Sequence, residues 1–313
     1  MMNKLSEKYD LVIVGSGPAG YTAGIYARRF KLKTLIVGKS PGGTIADAHK
    51  VCNFPTFGEI AGEELTRRMH DVAKDLGVKS VTARVEKIGR KDYGFLLETT
   101  SSGEVKGDAV LLATGTKRRK LNLEHEDYFL GRGVSYCATC DGPFFQDKIV
   151  AVVGGSNAAT TAALYLSEIA KRVYLIYRKD ELRGEEMWKD QVEENPKIEV
   201  VYNTNVVSLG GENKLERIGL DNEFAGKDFI RVDGLFVEIG SVPANALAKK
   251  IGLDLSEEGY LRVGEDQSTN LPGFYGAGDI TTGSGGLKQV ITACSEGAIA
   301  ATNIYKFLKS KGP

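Results

Sequence analysis

A short apolar run, a glycine-rich turn and a helical stretch follow one another twice in this chain, and few folds accept that unit. In the first copy Leu11-Val12-Ile13-Val14 reads as a strand buried on both faces. The turn is Gly15-Ser16-Gly17-Pro18-Ala19-Gly20, and Tyr21 to Phe30 is helical, with Ala23, Ala27 and Phe30 at helical spacing. Thr34-Leu35-Ile36-Val37 is the next strand. In such a turn Gly15 permits the tight bend, Gly17 lets backbone approach a pyrophosphate, and Gly20 lets helix pack on strand. The helix N-terminus then favours the anion. A plain glycine-rich turn is the alternative, but strand before and helix after is the context the dinucleotide fingerprint requires. An acid is expected about 20 residues on; Val37-Gly38-Lys39 stands there, with none.

The second copy begins 139 positions later. Ile149 to Val153 is the strand, Gly154-Gly155-Ser156-Asn157-Ala158-Ala159 the turn, Thr160 to Ala170 the helix, and Arg172 to Ile176 the following strand. That interval is too long for a solenoid repeat and suits a second nucleotide-binding domain. Ser156 puts a β-carbon where a pyrophosphate would approach, although its hydroxyl can donate to phosphate. The second strand ends Tyr177-Arg178-Lys179, with Arg183 following. An NAD site would carry an acid there and an NADP site a base, so Arg178, Lys179 and Arg183 suit a 2′-phosphate. The alternative is a solvated charged loop, because Asp180, Glu181, Glu185 and Glu186 are interspersed. Two further strands end in glycine turns: Ala109 to Ala113 runs into Thr114-Gly115, and Gly273-Phe274-Tyr275 into Gly276-Ala277-Gly278-Asp279. Gln289 to Leu308 reads as a closing helix. The expected class is α/β, with two Rossmann-like dinucleotide-binding domains.

Composition agrees. A length of 313 residues predicts roughly two domains. Lys plus Arg and Asp plus Glu are 41 each, so net charge offers no reason to expect nucleic acid or an anionic membrane as partner. No apolar run reaches the roughly 18 residues needed to span a bilayer. MMNKLSEKYD has no secretory apolar region, so a cytoplasmic protein is expected. His49, His70 and His125 form no metal-ligand spacing, and no metal site is expected.

Cys137-Ala138-Thr139-Cys140 is the chemical centre. A C-x-x-C pair can close a redox disulfide, serve as half a zinc site, or be two buried structural cysteines. Between two nucleotide turns, redox chemistry is favoured. Asp141 could carry the dithiol's proton, or cap a helix. Cys52 and Cys294 stand alone and are expected to be small buried hydrophobes.

Taken in order, these motifs resemble the low-molecular-weight thioredoxin reductases over nearly the whole chain. The most specific block is Gly131-Arg132-Gly133-Val134-Ser135-Tyr136-Cys137-Ala138-Thr139-Cys140-Asp141-Gly142. The first turn is similar to that family's FAD-binding turn, Pro41-Gly42-Gly43 and Asn53-Phe54-Pro55 to its flavin-side loops, and Gly276-Ala277-Gly278-Asp279 with Lys288-Gln289-Val290 to its closing FAD segment. The resemblance implies FAD held by Gly15, Ser16, Gly17, Pro18, Ala19, Gly20, Gly38, Lys39, Gly42, Gly43, Thr44, Asn53, Val85, Ala113, Thr114, Gly115, Gly278, Asp279, Lys288, Gln289 and Val290. It implies NADPH at Gly154, Gly155, Ser156, Asn157, Ala158, Arg178, Lys179 and Arg183. It implies a discontinuous FAD domain over residues 1–118 and 247–313, with a pyridine-nucleotide domain over 119–246 inserted and carrying the dithiol. It also implies a homodimer passing electrons from NADPH through FAD and the Cys137–Cys140 disulfide to thioredoxin. By this match Cys140 faces the flavin, Cys137 attacks the partner disulfide and Asp141 handles the proton. The departures are Ser156, Tyr177 where a histidine is usual, Lys179 where an arginine is usual, and Cys52 where a glutamate is common. They keep open NADH or reduced ferredoxin as donor, and another thioredoxin-like protein as partner. A non-catalytic redox-sensing module predicts no turnover with any donor.

Overall fold

The structure is a computed structural model that describes residues 7–91, 94–101 and 103–311. It divides into two compact units, residues 1–117 with 243–313, and residues 118–242.

In the first unit the strand Lys8–Val14 lies between Thr34–Gly38 and Gly103–Leu112, parallel to both. Lys79–Thr82 extends one side and Phe274–Gly276 the other, also in parallel. Successive side chains of a strand point to opposite faces. Leu11 and Ile13 accordingly enter one apolar cluster, and Val12 and Val14 another. Burial on both faces is why the run is uninterrupted in sequence. The strand Gly103–Leu112 serves two ladders: its first half pairs antiparallel with Gly94–Thr99, which pairs in turn with Val85–Lys91. One face is covered by the helices Pro18–Arg29 and Val290–Ser310.

The second unit repeats the plan. Its parallel sheet runs in the order Ile198–Val201, Arg172–Ile176, Ile149–Val153, Gly234–Val237, Val134–Ser135. Val150 and Val152 pack toward the helix Asn157–Ile169, while Ala151 and Val153 pack toward a three-stranded antiparallel sheet of Val206–Gly210, Arg217–Phe224 and Lys227–Arg231. The α/β class with two Rossmann-like units is therefore the observed one.

Both helices after the glycine turns start three residues before the positions expected from periodicity, at Pro18 and Asn157 rather than Tyr21 and Thr160. The last residues of each turn are already the first helical turn. Pro18 suits that place because its fixed φ is helical and its missing N–H would have had no partner. No helix among the described residues is long and apolar enough to cross a membrane.

Phe236 is fully buried and meets Phe145 edge to face at 5.3 Å. Phe236→Ala is expected to destabilise the second unit by about 3–5 kcal/mol. Hydrogen exchange at Ile149–Val153 would report it, and unchanged protection there would contradict this packing.

Candidate cofactor and disulfide sites

In the first unit, strand ends meet where only glycine fits. Gly15 has φ +127°, and a β-carbon on it would stand 2.0 Å from the Ala113 carbonyl oxygen. A β-carbon on Gly20 would stand 2.1 Å from the Gly15 oxygen. The first helix has Gly17 at its N-cap and no side-chain cap, so its leading N–H groups are left to an outside acceptor. The segment 38–44 folds onto this turn: Gly42 N–H donates to the Ser16 carbonyl at 2.8 Å, and the Ser16 hydroxyl donates to the Ser40 carbonyl at 3.0 Å. Gly38 leaves room for Ser16, and Gly43 for the Gly17 backbone. Gly278 closes from the other side, where a β-carbon would stand 3.0 Å from the Ala19 Cβ. The Asn53 amide donates to Gln289 Oε1 at 3.0 Å, joining two more of the expected residues.

Others of the set lie differently. The Thr114 hydroxyl donates to the Ala244 carbonyl, and Gly115 accepts from Ala244 N–H, so this pair steadies the chain after the strand. Lys39 is exposed and lines an open pocket of about 320 Å³ with Thr82, Ala83, Arg84, Thr100 and Ser101. Thr44 is in the short 3-10 helix Gly43–Asp47, and Val85 is the buried first residue of its strand. Val290 is the first helical residue after a capping box of Gln289 and Thr292. Burial pushes the Asp279 carboxyl up, and it pushes the Lys288 ammonium down while the attraction between the two opposes both shifts. A flat apolar surface would not hold these charges; a polar, phosphate- and hydroxyl-bearing ligand such as FAD fits a cradle with this donor set.

In the second unit Gly154, at φ +145°, lies against the Glu238 carbonyl, where a β-carbon would stand at 2.2 Å. Tyr177 does not reach outward. Its ring lies against Gly155, it is 5% exposed, and its hydroxyl has no hydrogen-bond partner among the described residues. Arg183 N–H donates to the Gly155 carbonyl at 2.6 Å, and the Asn157 side chain exchanges hydrogen bonds of 2.9 and 2.6 Å with Glu185. Glu181 and Glu186 both pair with Lys189 at 2.9 Å. Three of the four acids interspersed in this loop, Glu181, Glu185 and Glu186, are thus engaged by Lys189 and Asn157. Arg178, Lys179 and Arg183 are exposed, and their side chains form no ion pair among the described residues. This is an arrangement for an outside anion rather than a self-neutralised loop.

Cys137 and Cys140 are joined as a disulfide, and the half-zinc and buried-thiol alternatives fall away. They flank a one-turn helix, Ala138–Asp141, that follows the edge strand Val134–Ser135. Cys140 is exposed and Cys137 half-buried. All strands of that sheet are parallel, so the disulfide and the second glycine turn sit at one carboxyl edge, where ligands of such sheets bind. Asp141 stands at the N-cap place of the next turn, yet its side chain caps nothing there. Instead it accepts from the Ser135 hydroxyl at 2.6 Å, and Ser135 accepts from Cys137 N–H at 3.0 Å. Tyr136 donates to Glu126, a carboxylate 4% exposed that also accepts from Leu121 and Asn122 N–H. Burial and that carboxylate push the Tyr136 phenol above its ordinary range. Ser135 and Glu126 carry no sequence signal of their role beyond lying near the C-x-x-C. Cys294 is half-buried in the first unit, where burial pushes its thiol up; Cys52 is also half-buried, and nothing explains its presence.

Comparison with known proteins agrees with this geometry. Residues 9–297 match the family model described as pyridine nucleotide-disulphide oxidoreductase. A thioredoxin reductase of Listeria innocua is 35% identical over 306 residues, which are 96% of this chain and 94% of that one. The crystal structure of the Lactococcus lactis thioredoxin reductase superimposes with a TM-score of 0.91 at 31% identity, covering 96% of this chain and 99% of that one. A ferredoxin-flavin thioredoxin reductase from Clostridium acetobutylicum, 32% identical, covers 97% and 99% with a TM-score of 0.52.

An acid whose folded pKa stands above its unfolded one stabilises the fold only below the unfolded value, and that contribution is lost as pH rises. Asp279→Asn is therefore expected to raise the melting temperature of the flavin-free chain at pH 7, with the gain vanishing below about pH 4. Melting curves at the two pH values check it; a lower melting temperature at pH 7 contradicts it.

Proposed function

The chain belongs to the pyridine nucleotide-disulphide oxidoreductase family, and on that footing we propose that it is a flavin-dependent thioredoxin-disulfide reductase. The observation that carries the reading is the Cys137–Cys140 disulfide with Asp141 beside it, set at the carboxyl edge of a nucleotide-type sheet. FAD, when bound, relays an electron pair from a pyridine nucleotide to the disulfide. The first unit would hold it through the Gly15–Gly20 turn, the 38–44 segment and Gly278-Asp279. The disulfide takes up two electrons and two protons to become a dithiol. The Cys137 sulfur then attacks the partner's disulfide, Cys140 closes the ring again, and the partner leaves as its dithiol. Asp141, held by Ser135, lies one residue from Cys140 and takes and returns the proton. Thioredoxin as partner, the homodimer and the cytoplasm rest on the family resemblance.

NADPH is the donor that the second unit supports, through the three exposed cations that form no ion pair among the described residues. A second reading keeps the fold and dithiol with a different donor, reduced ferredoxin. It is favoured by Ser156 in the place of a glycine and by Tyr177 turned inward. Stopped-flow mixing under nitrogen separates the two: bleaching of the flavin by micromolar NADPH supports the first, and an oxidised flavin at millimolar NADPH rejects it.

Cys140→Ser is expected to leave flavin binding and donor-to-flavin transfer intact while abolishing thioredoxin reduction; residual turnover in an insulin-precipitation assay would overturn the assigned route. Arg178→Ala is expected to raise the KM for NADPH roughly tenfold to a hundredfold with little change in kcat, and to leave NADH kinetics unaltered. Equal losses with both nucleotides would remove Arg178 from a 2′-phosphate site.

A further inference from the structure

We propose that Glu296 is a positioning residue for flavin binding: its buried carboxylate anchors the closing turn Gly278–Ser284 to the first helix. The inference rests on the flavoprotein reading above, and Glu296 belongs to none of the motifs in which that reading is written.

Glu296 lies in the C-terminal helix and is only 4% exposed. It makes no ion pair among the described residues. Its compensation comes from three hydrogen-bond donors, all of them in one turn. Gly278 N–H donates to Oε2 at 2.8 Å, the Thr281 hydroxyl to the same oxygen at 2.8 Å, and the Ser284 hydroxyl to Oε1 at 2.6 Å. Burying a carboxylate costs several kcal/mol unless such donors replace water. The turn wraps the carboxylate closely: a β-carbon on Gly283 would stand 2.5 Å from Oε1. It also needs holding, because Gly278, Ser284, Gly285 and Gly286 all have positive φ.

The next residue ties the anchor to the phosphate-binding end of the first helix. A β-carbon on Gly297 would stand 2.3 Å from the Ala19 carbonyl oxygen, so the two helices touch backbone to backbone there. Ala19 also meets Gly278. Glu296 thereby fixes the spacing between the Gly15–Gly20 turn and Asp279. It does so at an electrostatic cost, since its charge helps push the Asp279 carboxyl up. A carboxylate meets all three donors at once, because both of its oxygens accept. A glutamine would keep an acceptor for Gly278 N–H, and its amide could donate to Ser284, whose hydroxyl can turn to accept.

The test is FAD dissociation from the purified holoprotein, followed by the rise of free-flavin fluorescence, for the wild type, Glu296→Ala, Glu296→Gln and Thr281→Val. Glu296→Ala is expected to weaken FAD by about tenfold or more, and Thr281→Val, which removes one donor to Glu296 and the acceptor of Gly283 N–H with little change of shape, by several-fold. Glu296→Gln is expected to restore affinity to within about threefold and to move the pH dependence of FAD affinity to lower pH, as a like charge leaves the side of Asp279. Should Glu296→Ala not fold, the Thr281→Val and Glu296→Gln results decide. Wild-type affinity in Glu296→Ala or in Thr281→Val, with a lowered melting temperature, would reduce Glu296 to a structural staple and overturn the proposal. A wild-type protein that purifies without FAD and binds none would overturn the flavoprotein reading itself.

Discussion

Everything in both units hangs on a backbone approach that no β-carbon permits. At Gly15 the nearest atom to the missing β-carbon is the Ala113 carbonyl oxygen, and at Gly154 it is that of Glu238. These contacts draw the ends of adjacent parallel strands together and force the chain to turn at once into a helix. The helix N-terminus then faces the crevice at the carboxyl edge of the sheet. In the first unit that crevice gathers the 38–44 segment and Gly278. In the second it gathers the disulfide and the loop of Arg178, Lys179 and Arg183.

A chain with no net charge still separates its charges by role. In the first unit Glu296 is buried and Asp279 and Lys288 are half-buried, and hydrogen bonds or mutual attraction compensate them. In the second unit Glu181, Glu185 and Glu186 are bound by Lys189 and Asn157, and the three cations stand in solvent. Close to the disulfide, Ser135 and Glu126 fix Asp141 and Tyr136 through short polar contacts.

What periodicity and spacing could reveal was local. The strand Leu11–Val14 was legible because both of its faces are buried, and the turns because glycine alone meets their geometry. The helix starts at Pro18 and Asn157 were not, since a turn's last residues and a helix's first are the same residues. Tyr177 read as the end of the second strand, standing where a histidine is usual, and it packs on Gly155, a contact across the turn that linear order does not encode. Asp141 suited a cap on sequence and instead accepts from Ser135, six residues earlier. Glu296 was invisible because its three donors lie 12 to 18 positions away.

The central claim is that one chain carries both a flavin and a reducible Cys137–Cys140 pair in electronic series. It is tested most directly by an anaerobic reductive titration that counts electrons per chain, followed by alkylation and mass spectrometry of the two cysteines. The account predicts uptake of two electron pairs per chain, with Cys137 and Cys140 alkylated after reduction and protected again once an oxidised thioredoxin is added. Uptake of a single pair, with both cysteines still resistant to alkylation when the flavin is fully bleached, would contradict it.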